Sequence, residues 1–476
     1  MKPHLLMAAV AALGCSPGVD RDATLRSTFA RADAAILAQR PALLASRYAA
    51  MAQSAQDFYR GALAVYLRDW RDGAMGLSYS RFAVDAPMPL GVGDPHVENF
   101  GALLGRDGTL ALEANDLDGA DRVPYLWDLR RLTVGLCVAA AESNGDDPAA
   151  RARATAASRD LAREAALAYA AAIQPGAPER RVTDGGDAPV LVDLFRRARR
   201  DAASRAELDA LTVTLDGARR LRRGTLDPGP PASVLIDLPR WAIDALPALF
   251  ARYRDTLTAP PDPRYFTVLD AAREFGSGVA SLPRVRVLAL LRGPSDALDD
   301  DVLVEIKEQS DALTPGGPPP GVYADDIPSR VAAARRTVWS LPDAEPLWGT
   351  STWFGLPVQI RRESEAHKGV KVERLRGDAG TPDALRALAR VLGGMLARAH
   401  RRSLPSPAPQ ADLLARAPAA FADEEADVAT RYAAQVLDDF ARFQRLLRAH
   451  GPTLGARVLD TDAPSSPARA LFGSPP

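Results

Sequence analysis

Apolar residues recur at helical spacing over most of residues 21–80, in "DATLRSTFARADAAILAQRPALLASRYAAMAQ" and then "DFYRGALAVYLRDWRDG". The period then breaks. "LGVGDPHVENFGALL", residues 90–104, sets Asp94, His96, Glu98 and Asn99 between two apolar flanks, and "TLALEA" behind it alternates as a short strand. Helical spacing returns in "YLWDLRRLTVGLCVAAAES" and in a long Ala/Arg helix from about 147 to 173. Pro/Gly-rich punctuation, "QPGAPERRVTDGGDAP" and "RGTLDPGPPAS", brackets a further helical stretch. After about residue 262 the texture changes. "EFGSGVASLPRVRVLALLRG" and "DDVLVEIKEQS" read as β-runs, the first led by a glycine-rich turn. "LTPGGPPPGVYADD" reads as a flexible loop, "SRVAAARRTVWSL" as a helix, and "LWGTSTWFGLPVQIRRES" as a hairpin turning at Gly355. Helices return in "TPDALRALARVLGGMLARAHRRSL" and "DEEADVATRYAAQVLDDFARFQRLLRAH".

This order predicts an α+β protein with five segments. They are a leader and linker over 1–20, helices and polar loops over 21–261, and a β-rich unit over 262–375. Further helices over 376–462 and a disordered tail over 463–476 complete the chain. With 476 residues, 47% of them hydrophobic and 25% charged, the composition is that of a globular chain with a sizeable core. The formal net charge of -1 gives no general attraction to nucleic acid or anionic lipid, and no nucleic-acid-binding motif stands out. Oligomeric state leaves no mark in the sequence.

The basic residues are lopsided: only Lys2, Lys307, Lys368 and Lys371 are lysines, and the remaining cations are arginines. A GC-rich genome accounts for the bias. An interior lysine is still a place where a compact point charge stands instead of the broad guanidinium fork. The two cysteines are too few for a disulfide framework. Cys137, inside "LTVGLCVAAA", reads as a small buried hydrophobe. Cys15 follows a lysine and a short apolar run, and "MKPHLLMAAVAALGCSPG" resembles a bacterial lipoprotein signal. That resemblance implies a lipid anchor at Cys15 and a place at the cell envelope. The departures are the single lysine and Ala12 where leucine is expected. An ordinary apolar start, and with it a cytoplasmic protein, is the alternative.

Two chemistries compete for Asp94 and His96. Gly-Asp-x-His followed by "DLDGADR" resembles the calcineurin-like metallophosphoesterases, whose motifs are GDxH, GDxxDR and a Gly-Asn-His triplet. No Gly-Asn-His triplet exists in the chain, and Asn115 stands where the glycine of the second motif belongs. Kinase-like phosphotransferases fit the spacing better. In these an aspartate orients the attacking hydroxyl and accepts its proton, an asparagine five positions on binds metal, and a second aspartate beyond a hairpin holds Mg²⁺. Asp94 and Asn99 have that spacing, and Asp116 lies 17 residues beyond Asn99. Asp118 is a further candidate metal ligand, and Asp128 would brace the loop backbone from the following helix. The loop resembles that of aminoglycoside- and choline-kinase-like enzymes, HGDxHxxN, with His96 at the later histidine and Val92 in place of the earlier one. Lys307, near the end of an apolar strand, is preceded by one strand and by Gly276, Ser277 and Gly278. Glycines let backbone N–H groups approach phosphate and the lysine adds the point charge.

The whole pattern resembles the uncharacterised bacterial domain-of-unknown-function 2252 family. The matching stretches are "FYRG" (58–61), "GDPHVENFG" (93–101), "NDLD" (115–118), "WDLRRL" (127–132), "GSGVAS" (276–281), "EIKE" (305–308), "LARAH" (396–400) and "YAAQ" (432–435). The motifs imply a bilobal, protein-kinase-like α+β fold that is circularly permuted, because the catalytic loop precedes the glycine loop by about 180 residues. They imply Mg²⁺ and ATP as cofactors and phosphoryl transfer to a small-molecule hydroxyl. Asp94, Asn99 and His96 would be catalytic, Asn99, Asp116 and Asp118 metal-binding, and Lys307, Gly276, Ser277 and Gly278 phosphate-binding. Two departures from the family matter, and of these the missing glutamate, together with Val92, counts against turnover. Gly119 stands where the family usually has an acid, and "SRVAAARRTVWSL" offers no glutamate to pair with Lys307, a place Glu305 would have to fill. An exported protein would also find little ATP. A kinase-like binding protein without turnover, or a metal-dependent phosphoesterase, is therefore kept as an alternative. Read singly, Asp94, Asn99 and Asp116 are ordinary turn residues, His400 is a satisfied core histidine, and Lys368 and Lys371 belong to a solvated loop.

Overall fold

The computed structural model describes residues 20–142, 148–224, 233–276, 278–310, 312–315, 326–341 and 343–457. Cys15 with its signal, Ser277 and the tail at 463–476 lie outside the described residues.

The chain is α+β. Its largest core is helical and is centred on the helix Tyr125–Glu142, in which every residue from Tyr125 to Ala141 is buried. A helix enclosed on all faces is normally apolar throughout. This one carries Asp128, Arg130 and Arg131, each with a partner on another element. Arg130 and Glu425, both with fully buried side chains, pair at 2.6 Å and tie the central helix to the long helix Pro418–His450. The helices Pro148–Ala172 and Pro382–Arg401 complete the layer around it.

A six-stranded antiparallel sheet forms the second feature. Its strands run in the order Val234–Asp237, Val268–Phe275, Arg286–Leu291, Val302–Glu308, Leu356–Arg362 and Gly349–Trp353. Alternate residues face opposite sides. On one side Val287, Ala289, Val302, Val304, Ile306, Val358 and Ile360 pack on Leu249, Phe250 and Tyr253 of the helix Leu246–Arg254, so this core reaches upstream of residue 262. On the other side Ala272, Leu288, Leu290 and Leu303 pack on Leu208 of the helix Ala206–Leu211 and Leu221 of the hairpin Thr212–Leu221. The helix Ile327–Val338 lies in sequence between the strand Val302–Glu308 and the last hairpin, which turns at Phe354 and Gly355 with φ of 50° and 80°.

A small sheet links the two features. Strands Phe100–Leu104 and Leu110–Ala114 form a hairpin, and Lys368–Gly369 adds to its edge. The hairpin separates the loop that ends at Asn99 from the loop that begins at Asn115. No helix among the described residues is long and apolar enough to cross a membrane.

Candidate active site

The loop before the hairpin is held by the central helix. Asp128, fully buried, accepts the Val92 amide at 2.6 Å and the Gly93 amide at 3.0 Å on its two oxygens. Trp127 Nε1 donates to the Gly93 carbonyl at 2.8 Å. Gly93 has φ of 85°, and a Cβ there would lie 1.8 Å from the Gly119 carbonyl oxygen, so only glycine lets the two loops approach. A Cβ on Gly119 would meet nothing closer than 3.6 Å.

Within the loop, Asn99 Nδ2 donates to the Asp94 carbonyl at 2.7 Å, which joins the two residues across their five-position spacing. Asp94 Oδ1 accepts from Arg131 Nε at 2.7 Å. Arg131 is fully buried, its guanidinium carbon 3.6 Å from the centre of the Tyr59 ring, and its Nη2 donates to the Tyr59 carbonyl at 2.7 Å. Burial raises the Asp94 carboxyl above its ordinary value against the opposing pull of Arg131, and nearby Asp116 adds to the rise. His96 is buried, and burial with the charges of Arg60 and Arg131 holds its imidazole well below the usual range, which makes it neutral. Among the described residues its Nδ1 has no hydrogen-bond partner, nor do Arg131 Nη1 and Asp118 Oδ1, all of them buried. Glu98 points elsewhere. It pairs with Arg60 at 2.8 Å and accepts the Val372 amide at 2.8 Å, so it ties the loop to the segment after the last strand.

Across from this loop, Lys307 Nζ lies 3.0 Å from Asp116 Oδ2 and 3.1 Å from Asp118 Oδ2. Arg284 Nη1 reaches the same Asp118 oxygen at 2.6 Å. Burial works to raise the Asp116 carboxyl, but Lys307 and the Asp118 amide outweigh it and hold it well below the carboxylate range. Arg330, on the helix Ile327–Val338, donates to the carbonyls of Ala120, Asp118 and Ser310, which clamps the second loop to the end of the Lys307 strand. Gly276 and Gly278, with φ of 89° and 77°, sit in the loop joining Val268–Phe275 to Arg286–Leu291, and Arg286 is paired in register with Lys307. Glu305, two residues before Lys307, is held by Arg286 at 2.8 Å and Arg361 at 3.0 Å.

The structure therefore brings Asp94 together with Asn99 on one loop, and Lys307 of the strand Val302–Glu308 together with Asp116 and Asp118 on a second loop, and the two loops meet at Gly93 and Gly119. Sequence reasoning missed Arg131, Arg284 and Arg330. In a chain where nearly every cation is arginine, none of the three carries a contrast that could have marked it. Among the described residues no three His, Cys, Asp or Glu side chains converge as a metal-holding group. Asp116 and Asp118 bring two carboxylates together at Lys307.

A family model described as "Uncharacterized protein conserved in bacteria (DUF2252)" matches residues 39–446, and the chain belongs to this family. No curated protein and no solved structure matches the chain.

Proposed function

We propose that the protein is a kinase-like phosphotransferase that moves a terminal phosphoryl group from a Mg²⁺-bound donor to a hydroxyl of a small molecule. The observation that carries this is Lys307 between Asp116 and Asp118, although 191 residues separate Lys307 from Asp116. A cation delivered by a strand to the carboxylates of a loop is the arrangement that phosphoryl transfer asks for, where charge must be balanced on the donor's oxygens. Support also comes from the order of elements: strand, glycine loop, strand, strand with lysine, helix, hairpin. The permuted, bilobal kinase-like fold is part of the same proposal.

Asp94 would accept the hydroxyl proton, with Arg131 fixing its orientation and His96 as a neutral neighbour. Asn99, Asp116 and Asp118 would hold Mg²⁺, and the unpartnered buried Asp118 Oδ1 is an acceptor that fits such an ion. When bound, the ion would supply Lewis-acid polarisation of the donor phosphates. Lys307 would then balance the phosphate charge, and Gly276 and Gly278 would let the backbone close over it. ATP is the donor the motifs imply.

The phosphoesterase alternative is disfavoured by the missing Gly-Asn-His triplet and by Arg131, a cation that engages Asp94 Oδ1 where that reading needs a metal ligand. A binding protein without turnover is favoured by one observation. The helix Ile327–Val338 offers Arg330, not a glutamate, and Glu305 is already engaged by two arginines. We also propose attachment to the cell envelope through Cys15, which mass spectrometry of the mature N-terminus would test.

Calorimetric titration of ATP into the full chain, with and without Mg²⁺, tests the site. Mg²⁺-dependent binding lost in Asp116→Ala and in Lys307→Ala is expected, followed by loss of transfer in Asp94→Ala. Tight Mn²⁺ or Zn²⁺ binding with no affinity for any phosphate donor would return the phosphoesterase alternative.

A further inference from the structure

The face of the sheet that carries Lys307 also carries Glu305 and Leu303, because alternate residues of a strand share a side. Glu305 is 1% exposed, and both of its oxygens are taken, one by Arg286 Nη1 and one by Arg361 Nε. Those arginines are no accident of the surface. Arg286 is paired in register with Lys307 and Arg361 with Glu305, so the three side chains form a ladder across three neighbouring strands. One step further, Leu303, Leu288 and Leu290 are already covered by Leu208 and Leu221. In the other direction along the strand, Arg330 fastens the Ser310 carbonyl to the loop that carries Asp118.

A donor whose phosphates sit at Lys307 has to place the rest of its body against these neighbours. A purine or pyrimidine needs a flat apolar slot beside the phosphate seat. Here, among the described residues, that ground is occupied by a satisfied buried ion-pair ladder and then by a packed leucine core. Seating a base would break ion pairs whose partners would then be left charged and buried. The phosphate end is the opposite. Lys307 and Arg284 stand there on Asp116 and Asp118, Arg286 Nη2 reaches from the ladder to donate to Ser281 Oγ of the glycine loop at 3.2 Å, and a Cβ on Gly278 would lie 2.7 Å from that hydroxyl. Among the described residues this seat offers Lys307 and Arg284 and no apolar platform for a ring.

We propose that the phosphoryl donor is an inorganic polyphosphate chain, not a nucleoside triphosphate. This rests on the phosphotransfer function proposed above and names the donor class of the same site. In the step, the acceptor oxygen forms a bond to the terminal phosphorus and that phosphorus loses its bond to the bridging oxygen. The electron pair leaves with a polyphosphate one unit shorter, and the hydroxyl proton passes to Asp94. Such a donor also removes the conflict between an exported protein and the scarcity of ATP outside the cytoplasm.

The test is calorimetric titration of the full chain, in Mg²⁺, with inorganic tripolyphosphate, ATP and GTP in turn. The expected result is tripolyphosphate binding at least about tenfold tighter than either nucleotide, and lost in Lys307→Ala. ATP or GTP binding as tightly as tripolyphosphate or tighter, and equally lost in Lys307→Ala, would overturn the donor class and leave the phosphotransfer function standing. Absence of binding by all three would overturn both. As a second measurement, combining Glu305→Ala with Arg361→Ala clears the ladder and should shift preference toward ATP. An unchanged preference in a folded double variant counts against the ladder as the cause.

Discussion

His400 Nε2 lies 3.0 Å from Asp128 Oδ2, although 272 residues separate them and both side chains are fully buried. The Tyr169 hydroxyl meets His400 Nδ1 at 2.7 Å, which closes a buried chain of three polar groups. Asp128 in turn receives the Val92 and Gly93 amides, so the helix Pro382–Arg401 steadies the backbone just ahead of Asp94. The kinase-like loop pattern has a histidine where this chain has Val92. Here an imidazole reaches the same bracing aspartate from a distant helix, and the loop stays supported although its motif is incomplete.

His400→Ala should therefore destabilise the chain by about 2–4 kcal/mol, from the void it leaves and from two buried partners left unpaired. Urea unfolding of the variant beside the wild type measures this. A midpoint that does not move would show that Asp128 holds the loop without help.

Gly93 and Gly119 make a sharper contrast. Gly93→Ala places a methyl 1.8 Å from the Gly119 carbonyl at a φ of 85°, a clash with backbone that no rotamer relieves. The expected cost is more than about 4 kcal/mol or outright failure to fold. Gly119→Ala meets only ordinary contacts at 3.6 Å and should stay within about 0.5 kcal/mol of the wild type. Equal effects of the two substitutions would mean that the loops do not meet as described.

Lys307→Met keeps the stem and removes the ammonium that lies 3.0 and 3.1 Å from the two carboxylates. Without a donor, the variant should bind Mn²⁺ more tightly than the wild type, by about tenfold, because the metal no longer displaces a resident cation. With a donor present the order should reverse, since the phosphate charge loses its partner. Paramagnetic resonance of free Mn²⁺ reads the first effect directly, and weaker Mn²⁺ binding in the variant would place the metal away from Asp116 and Asp118.

The site was legible where residue type and spacing carried information together. Asp94, Asn99 and Asp116 stood out by spacing, Lys307 because lysine is scarce, and Asp128 because the kinase-like pattern expects an aspartate on the following helix to brace the loop. The α+β character followed from the change of period near residue 262. What stayed hidden was hidden for physical reasons. Arg131, Arg284 and Arg330 are lost in a background of arginine. The Tyr59 that seats Arg131 lies in "FYRG", a motif whose chemistry appears only when the ring is seen under the guanidinium. Glu305 was expected beside Lys307 because they share a strand face, yet cross-strand register delivers Arg286 and Arg361 to it instead. Register is a tertiary property, and a single strand does not encode it.

Glu363, at the end of the strand Leu356–Arg362, gives the ladder a pH signature. Burial and the neighbouring charges of Glu305, Glu207 and Glu274 push its carboxyl up to about 8, against the pull of Arg361. The folded chain then holds this proton more tightly than the unfolded chain, whose glutamate has the ordinary value of 4.5. A carboxyl with a raised folded value stabilises the fold fully below the unfolded value, and that contribution is lost as pH rises through the folded value. Glu363 should therefore make the wild type less stable as pH climbs from about 4.5 to about 8. Glu363→Gln cannot ionise, so its stability should fall less over that window and exceed the wild type's at about pH 9. Urea midpoints for both chains at several pH values decide the matter. Parallel curves would mean that Glu363 ionises in the fold as it does in water.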